Sequence, residues 1–231
     1  MTRPDHIGAI LADLRSMGNK EDVEGMKRFG IQADRAFGIR TPQLRKYAKR
    51  LGKDHELAIE LWQTGIHEAR HLAAMIDNPK KVTEDQMESW ASDFNSWDIC
   101  DGACNNLFDK TPFAWTKAVE WTTRDEEFVK RAGFVLMAVL SVHDQKAKDD
   151  QFRQFFPLIE REAQDNRNFV RKAVNWALRA IGKRNSSLNE EAISCAERIY
   201  EQGSKNARWI ASDALRELRS EKVQTRLAKK R

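Results

Sequence analysis

A short pattern recurs along this sequence at a spacing that restricts which folds the chain can adopt. FVKRA at 128–132 is followed 41 residues later by FVRKA at 169–173, and ALR at 177–179 returns 37 residues later at 214–216. Strand signals are nearly absent, and apolar residues are spaced by three and four almost throughout, as in amphipathic helices. The sequence therefore predicts helical pairs that repeat about every 40 residues.

Helical pairs of this length are typical of HEAT-like proteins, so we predict an all-α superhelix, an α-solenoid with a concave basic face. Thr41-Pro42 and Thr111-Pro112 each have the pattern of an N-cap followed by proline at the first helical position, and Thr83 and Gln86 have capping-box spacing. No long linker divides the chain, which predicts a single domain over residues 1–231. The predicted helices lie near residues 5–17, 20–30, 41–51, 54–64, 67–76, 83–93, 97–108, 111–121, 126–141, 148–163, 167–183, 188–201, 205–217 and 220–229.

The positive charge is concentrated in the second half of the chain. The net charge is +5, made up of −4 over residues 1–127, +6 over 128–184, −3 over 185–203 and +6 over 204–231. Such segregation indicates a polyanionic partner, although ordinary solvated surface charge is the alternative. There is no apolar run of membrane-spanning length and no export signal, and three cysteines do not make a disulfide framework. We therefore expect a monomer in the cytoplasm, associated with the nucleoid when it is bound to DNA.

Cations recur in register near the predicted helix starts of the second half. A cation there opposes the helix dipole, so a repeated occurrence indicates that an anion such as a DNA phosphate binds at that edge. Local pairing, for example of Glu127 with Arg131, is the alternative. The cations concerned are Lys130, Arg131, Arg171, Lys172 and Arg208.

The helix predicted at 167–183 has a polar stripe of Lys172, Asn175, Arg179 and Lys183. Trp176 lies four residues from Lys172 and three from Arg179, at the border of this stripe. A tryptophan is usually a core residue, but one beside a basic stripe can contact a sugar, a base or a cation.

The stretch SWDICD at 96–101 places an indole and a carboxylate on one helix face. Trp97 and Asp101 are four residues apart, whereas Asp98 lies near the helix start, where a carboxylate suits the dipole. A carboxylate can stabilise the oxocarbenium-like transition state of glycosidic cleavage, and an aromatic face attracts a cationic base. The structural alternative is a packed tryptophan and a salt-bridged aspartate.

Four stretches in this order, GIRTPQLRK at 38–46, SWDICD at 96–101, FVKRA at 128–132 and VRKAVNWALR at 170–179, carry a family resemblance. The chain resembles the bacterial AlkD-type alkylpurine DNA glycosylases, a family of HEAT-like DNA alkylation repair proteins. The resemblance implies excision of cationic N3- or N7-alkylated purines from duplex DNA, without drawing the base into a deep pocket.

The resemblance also implies roles for individual residues. Asp101 would be the catalytic carboxylate, Trp97 and Trp176 the aromatic contacts at the damaged nucleotide, and Arg131 the group that holds the backbone beside it. No metal or other cofactor is expected. The further candidates for DNA contacts are Thr41, Arg45, Lys130, Arg171, Lys172, Arg179 and Arg208.

Three alternative functions stay open at this point. One is a HEAT-like protein that binds damaged or branched DNA without catalysis, and another is a protein–protein scaffold. The third is a zinc metallohydrolase, because residues 67–71 read His-Glu-Ala-Arg-His, with Glu68 as base. Its third ligand would have to be Glu84 or Glu88.

Overall fold

The computed structural model describes the backbone of residues 3–229 and the side chains of residues 6–229. Within that range the chain forms fifteen α-helices and two single 3-10 turns, without a strand. The all-α prediction is therefore confirmed for the described residues. Within this range no helix has the length and hydropathy that a membrane span requires. The contacts group the chain into two compact units, one up to Pro112 and one from Phe113 onward. The prediction of one domain over residues 1–231 stays a prediction.

Unit 1 is built around α5, which packs against α3, α4 and α7. Asp54 caps α4 by accepting the Leu57 N–H at 3.0 Å, and Thr83 caps α6 by accepting the Gln86 N–H at 3.1 Å. Leu72 on α5 and the two cysteines on α7, Cys100 and Cys104, are fully buried. The helices of unit 1 are α1 (Arg3–Ser16), α2 (Lys20–Arg28), α3 (Thr41–Leu51), α4 (His55–Gln63), α5 (His67–Ile76), α6 (Glu84–Ser92) and α7 (Trp97–Asn106), followed by a 3-10 turn at Phe108–Lys110.

Unit 2 is built around α12, which packs against α9, α13 and α14. Helix α9 is buried over most of its length, as expected for a helix that is apolar on all sides. Asn185, Ser204 and Ser220 cap α13, α14 and α15 through their side chains. The helices of unit 2 are α8 (Ala114–Glu120), α9 (Glu127–His143), α10 (Asp149–Arg153), α11 (Phe156–Glu162), α12 (Asn168–Gly182), α13 (Ser186–Glu201), α14 (Lys205–Leu218) and α15 (Glu221–Ala228), with a 3-10 turn at Trp121–Thr123 after α8.

Three details of the predicted helices are wrong. Arg40, not Thr41, is the N-cap of α3, so that Thr41 is its first residue. Thr111 does not start a helix, because its hydroxyl donates to the Phe108 carbonyl at 2.8 Å and closes the preceding 3-10 turn. The helix predicted at 148–163 is divided into α10 and α11, with Pro157 in the first turn of α11.

Candidate functional site

A cavity of about 530 Å³ lies within unit 1, between the segment that leads into α3 and the facing sides of α5 and α7. This volume lies within the range of roughly 300–1,000 Å³ that is usual for ligand pockets. Its apolar wall includes Met26, Phe29, Ile31, Ile39 and Leu44. The polar groups that α5 and α7 contribute are His67, Glu68, His71, Asp98 and Asp101, with the indole of Trp97 beside them; Asp22, Arg40 and Thr41 also line the cavity.

Trp97 and Asp101 both line this cavity, one turn apart on α7. The indole N–H of Trp97 donates to the Phe29 carbonyl at 3.0 Å, which fixes the ring against the chain that follows α2. Both side chains are partly exposed. The structure thus brings the predicted indole and carboxylate to one accessible cavity, and it buries Cys100 and Cys104 on the other side of the helix, as predicted.

Asp98 faces two histidines that the sequence analysis did not connect with it. Its Oδ2 lies 2.9 Å from His67 Nε2 and 3.3 Å from His71 Nε2, and the Ser96 hydroxyl donates to its Oδ1. Burial acts to raise the pKa of Asp98, but the hydrogen bonds from both imidazoles outweigh it and hold that pKa well below its ordinary value. Asp98 is in the first turn of α7 as predicted, and it is also the centre of a His–Asp–His cluster.

Gly102 allows the His71 ring to lie close to α7. A Cβ on Gly102 would come 2.7 Å from His71 Nδ1, so any larger residue there would displace the imidazole. The two imidazole rings are also in contact, with their centroids 4.9 Å apart. The glycine on α7 and the i,i+4 spacing of the two histidines on α5 therefore both determine the geometry of the cluster.

Glu68 is a structural residue, contrary to the zinc alternative, in which it would be the general base. It is 1% exposed, and it accepts the backbone N–H groups of Phe37, Gly38 and Ile39 at 2.9, 2.7 and 3.2 Å. Gly38 has a φ of +80°, and a Cβ there would collide with the Asn19 carbonyl oxygen. The loop before α3 thus wraps around the Glu68 carboxylate, both oxygens of which accept backbone N–H groups.

The proposed third ligands of the zinc alternative are also wrong. Among the described residues, the acidic side chain that meets His67 and His71 is Asp98, not Glu84 or Glu88.

The predicted DNA contacts of unit 1 lie on α3. Thr41 is exposed and lines the 530 Å³ cavity. Arg45 is exposed and lines a separate, smaller cavity of about 330 Å³, beside Lys49 and Lys53. The structure therefore places Arg45 outside the cavity of Trp97 and Asp101.

In unit 2 the predicted register of cations is observed, but two of the cations are engaged in the fold. Lys130, Arg171 and Arg208 are each the fourth residue of their helices. Lys130 Nζ lies 2.8 Å from Glu162 and 3.8 Å from Asp165. Arg131 is only 5% exposed and donates to the Phe169 carbonyl at 2.6 Å. The predicted role of Arg131 at the DNA backbone stays a prediction. For Lys130, the observed ion pairs agree with the alternative, which is pairing within the protein.

The polar stripe of α12 is only partly a solvent face. Asn175 of this stripe is buried and donates to the Ile210 carbonyl at 3.1 Å, so it is not available to a ligand in solution. Arg179 donates to Glu217 at 2.5 Å and lies 3.6 Å from Asp213. Arg179 is therefore held against α14 by these two carboxylates, one of which also pairs with Lys183, and this reduces its availability to a phosphate.

Three other predicted contacts of unit 2 stay accessible. Lys172 and Arg208 are exposed, and neither lies in an ion pair within the described part of the chain. Arg171 donates to Asn168 and Asn206, and its guanidinium lies 4.6 Å from the ring centroid of Trp209, which is 39% exposed. Trp176, on the same helix as Arg171 and Lys172, is partly exposed.

Comparisons with known proteins agree with the fold and the resemblance. A family model described as DNA alkylation repair enzyme matches residues 10–226. The uncharacterized proteins Lin0241 of Listeria innocua and Lmo0209 of Listeria monocytogenes are 25% and 24% identical over 191 residues, which cover 81% of this chain and 83% of each relative.

A solved structure is similar over 83% of this chain and 82% of its own, with a TM-score of 0.75 and 20% identity. It is described as a new family of proteins related to the HEAT-like repeat DNA glycosylases, with affinity for branched DNA structures. At this identity the likeness shows the fold, which confirms the prediction of a HEAT-like all-α chain.

Proposed function

The chain belongs to the family of DNA alkylation repair enzymes, and from this premise we propose that it is a DNA glycosylase that excises cationic N3- or N7-alkylated purines from duplex DNA. The observation that carries the proposal is the shared cavity of Trp97 and Asp101. A partly exposed carboxylate and an indole face are there within reach of a ligand. The predicted lesion has the charge that both groups attract.

The proposed reaction needs little beyond a fixed negative charge. As the N-glycosidic bond breaks, its electron pair goes to N9 of the purine and neutralises the cationic base. Positive charge develops on the sugar, where the Asp101 carboxylate stabilises it. Water adds to C1′, and its proton passes to the carboxylate or to solvent. The leaving base is already activated, so no general acid is required.

The proposal is tested by the spectrum of bases released from methylated duplex DNA. We expect the purified chain to release 3-methyladenine and 7-methylguanine, and to leave the neutral base hypoxanthine in place in a separate duplex. Chromatography of the freed bases measures both. The proposal fails if neither methylated purine is released at a protein excess that saturates the DNA.

Trp97 is expected to contribute through its ring face. Trp97→Ala should lower kcat/KM for release of 7-methylguanine about 30-fold, because a desolvated cation–π contact contributes on the order of 2 kcal/mol. Trp97→Phe is the matched control, since it keeps a ring but loses the N–H that donates to Phe29. It should retain most of the activity. Equal losses in the two variants would show that positioning of α7, not the ring face, matters.

Two predicted DNA contacts of unit 2 should differ in their effect on DNA binding, because Lys130 lies in an ion pair and Lys172 is exposed. Lys172→Ala should reduce the slope of log affinity against log salt by about 0.9, the value for one lost phosphate contact. Lys130→Ala should leave that slope unchanged, because Lys130 is paired with Glu162. Binding to an undamaged duplex at several salt concentrations measures both variants. A smaller slope for Lys130→Ala alone would reverse this assignment.

A second candidate function is DNA binding without excision. It is favoured by the similar structure, whose protein is described as having affinity for branched DNA structures. This candidate predicts tighter binding to a four-way junction than to a linear duplex, and no release of methylated bases. Comparing the two DNA forms in the same binding assay distinguishes it from the glycosylase.

A further inference from the structure

Two helices of unit 1 bring three metal-ligating side chains to one point. His67 and His71 lie one turn apart on α5, and Asp98 faces them from α7. One ligand atom from each residue can be chosen so that all three lie within 4.8 Å of one another. The Ser96 hydroxyl holds the other carboxylate oxygen of Asp98.

We propose that His67, His71 and Asp98 form a binding site for one divalent transition-metal cation, with Zn²⁺ as the best-fitting ion. The ligand atoms would be the two Nε2 atoms and a carboxylate oxygen of Asp98. This inference goes beyond the proposed glycosylase, whose chemistry at Asp101 requires no metal.

The donor set selects the class of cation. Neutral imidazoles favour Zn²⁺ and neighbouring first-row ions, whereas Mg²⁺ and Ca²⁺ prefer an all-oxygen shell. Three protein ligands leave a tetrahedral Zn²⁺ with one open position, which is the arrangement of catalytic rather than structural zinc sites. The open position would be filled by water or by a ligand from the cavity.

The surroundings of the three residues match the needs of a bound cation. The side chains are mostly buried, with 7%, 17% and 16% exposure for His67, His71 and Asp98, so the cation would be held by protein groups on one side. On the other side all three line the 530 Å³ cavity. Ser96 fixes the carboxylate in the way that hydrogen bonds around a metal site orient its ligands.

The glutamate of the His-Glu-x-x-His stretch is not part of this site. The Glu68 carboxylate is occupied by three backbone N–H groups, so it neither binds the cation nor activates a water. The ligand set is therefore His-His-Asp without the base of a metalloprotease. Asp101 lines the same cavity as the open position, which places the proposed cation in the cavity of the proposed lesion contact.

The test is direct binding of Zn²⁺ to chain that has been stripped with a chelator and dialysed. We expect titration calorimetry to show one Zn²⁺ per chain for wild type, and at least tenfold weaker binding for His71→Ala and Asp98→Asn. The matched control is His55→Ala, because His55 lies 2.6 Å from Asp77 in a second His–Asp pair that has only one histidine. This control should bind Zn²⁺ as wild type does.

Thermal unfolding is a second readout, which can also be applied to variants that are less stable than wild type. Added Zn²⁺ should raise the Tm of wild type and His55→Ala, but not that of His71→Ala. Absence of stoichiometric binding to wild type, or an unchanged affinity in both His71→Ala and Asp98→Asn, overturns the proposal. Base release measured in chelator does not decide this question. If the chain excises methylated purines but binds no Zn²⁺, the proposed metal site is refuted and the proposed glycosylase function stands.

Discussion

Replacing Asp101 by asparagine should reduce the single-turnover rate of 7-methylguanine release by at least about 100-fold. The variant keeps the size and hydrogen-bonding shape of the side chain but removes its charge. Removing one group that stabilises transition-state charge typically lowers a rate by about 10²–10³. Rates are measured with enzyme in excess over a duplex that carries one lesion, so that product release does not limit them.

Asp22→Asn is the matched control for this variant. Asp22 lines the same cavity, but its carboxylate is bound bidentately by Arg40 at 3.0 and 3.1 Å. We expect its rate to stay within about threefold of wild type, and the Tm of Asp101→Asn to stay close to that of wild type. An Asp101→Asn rate above about one third of the wild-type rate, with duplex binding intact, would remove Asp101 from the reaction.

The largest effect on stability is expected for Glu68→Gln. A glutamine retains one acceptor oxygen, but its NH₂ group faces a backbone N–H that the carboxylate now accepts. Hydrogen bonds to a charged group contribute about 1.5–3 kcal/mol each, and a buried unsatisfied donor adds a further penalty. The free energy of unfolding should therefore fall by about 3 kcal/mol, with a Tm lower by about 6–12 °C.

Glu24→Gln is the control for the Glu68 variant, since Glu24 is exposed on α2 and its carboxylate lies 2.7 Å from Lys27 Nζ at the surface. Its free energy of unfolding should change by less than about 0.5 kcal/mol. Thermal and denaturant unfolding measure both variants. A Glu68→Gln variant as stable as wild type, but without activity, would indicate a chemical role for Glu68 that its three backbone partners argue against.

The helices could be predicted because their signals are local. Spacings of three and four and the capping side chains lie within one element, as with Thr83 and the Gln86 N–H in α6. Thr111-Pro112 misled because a threonine before a proline can also close the preceding turn, which is what its bond to Phe108 does. The break between α10 and α11 could have been expected from Pro157, which cannot lie inside a helix without kinking it.

The site was predictable only where its residues share a helix. Trp97 and Asp101 are one turn apart on α7, so their common cavity follows from helical periodicity. The pairing of Lys130 with Glu162 joins residues 32 positions apart, and the hydrogen bond of Asn175 to Ile210 joins residues 35 apart. Contacts at such separations depend on how the helices pack, for which the sequence pattern has no signal.

The His–Asp–His cluster illustrates both cases. The i,i+4 spacing of His67 and His71 is visible in the sequence, but the third residue comes from α7 and required the packing of α5 against α7. The structural role of Glu68 could not be predicted for the same reason, because its partners at 37–39 lie about 30 residues earlier in the chain. In both cases the sequence shows the type of residue but not which residues it contacts.

The most direct test of the central claim counts both products of the proposed reaction in one sample. A duplex with a single 7-methylguanine is incubated with excess wild-type chain, and the freed base and the abasic site are quantified together. The glycosylase proposed here predicts equal amounts of the two products, each approaching the amount of lesion. Duplex that is bound but yields neither free base nor abasic site would contradict it.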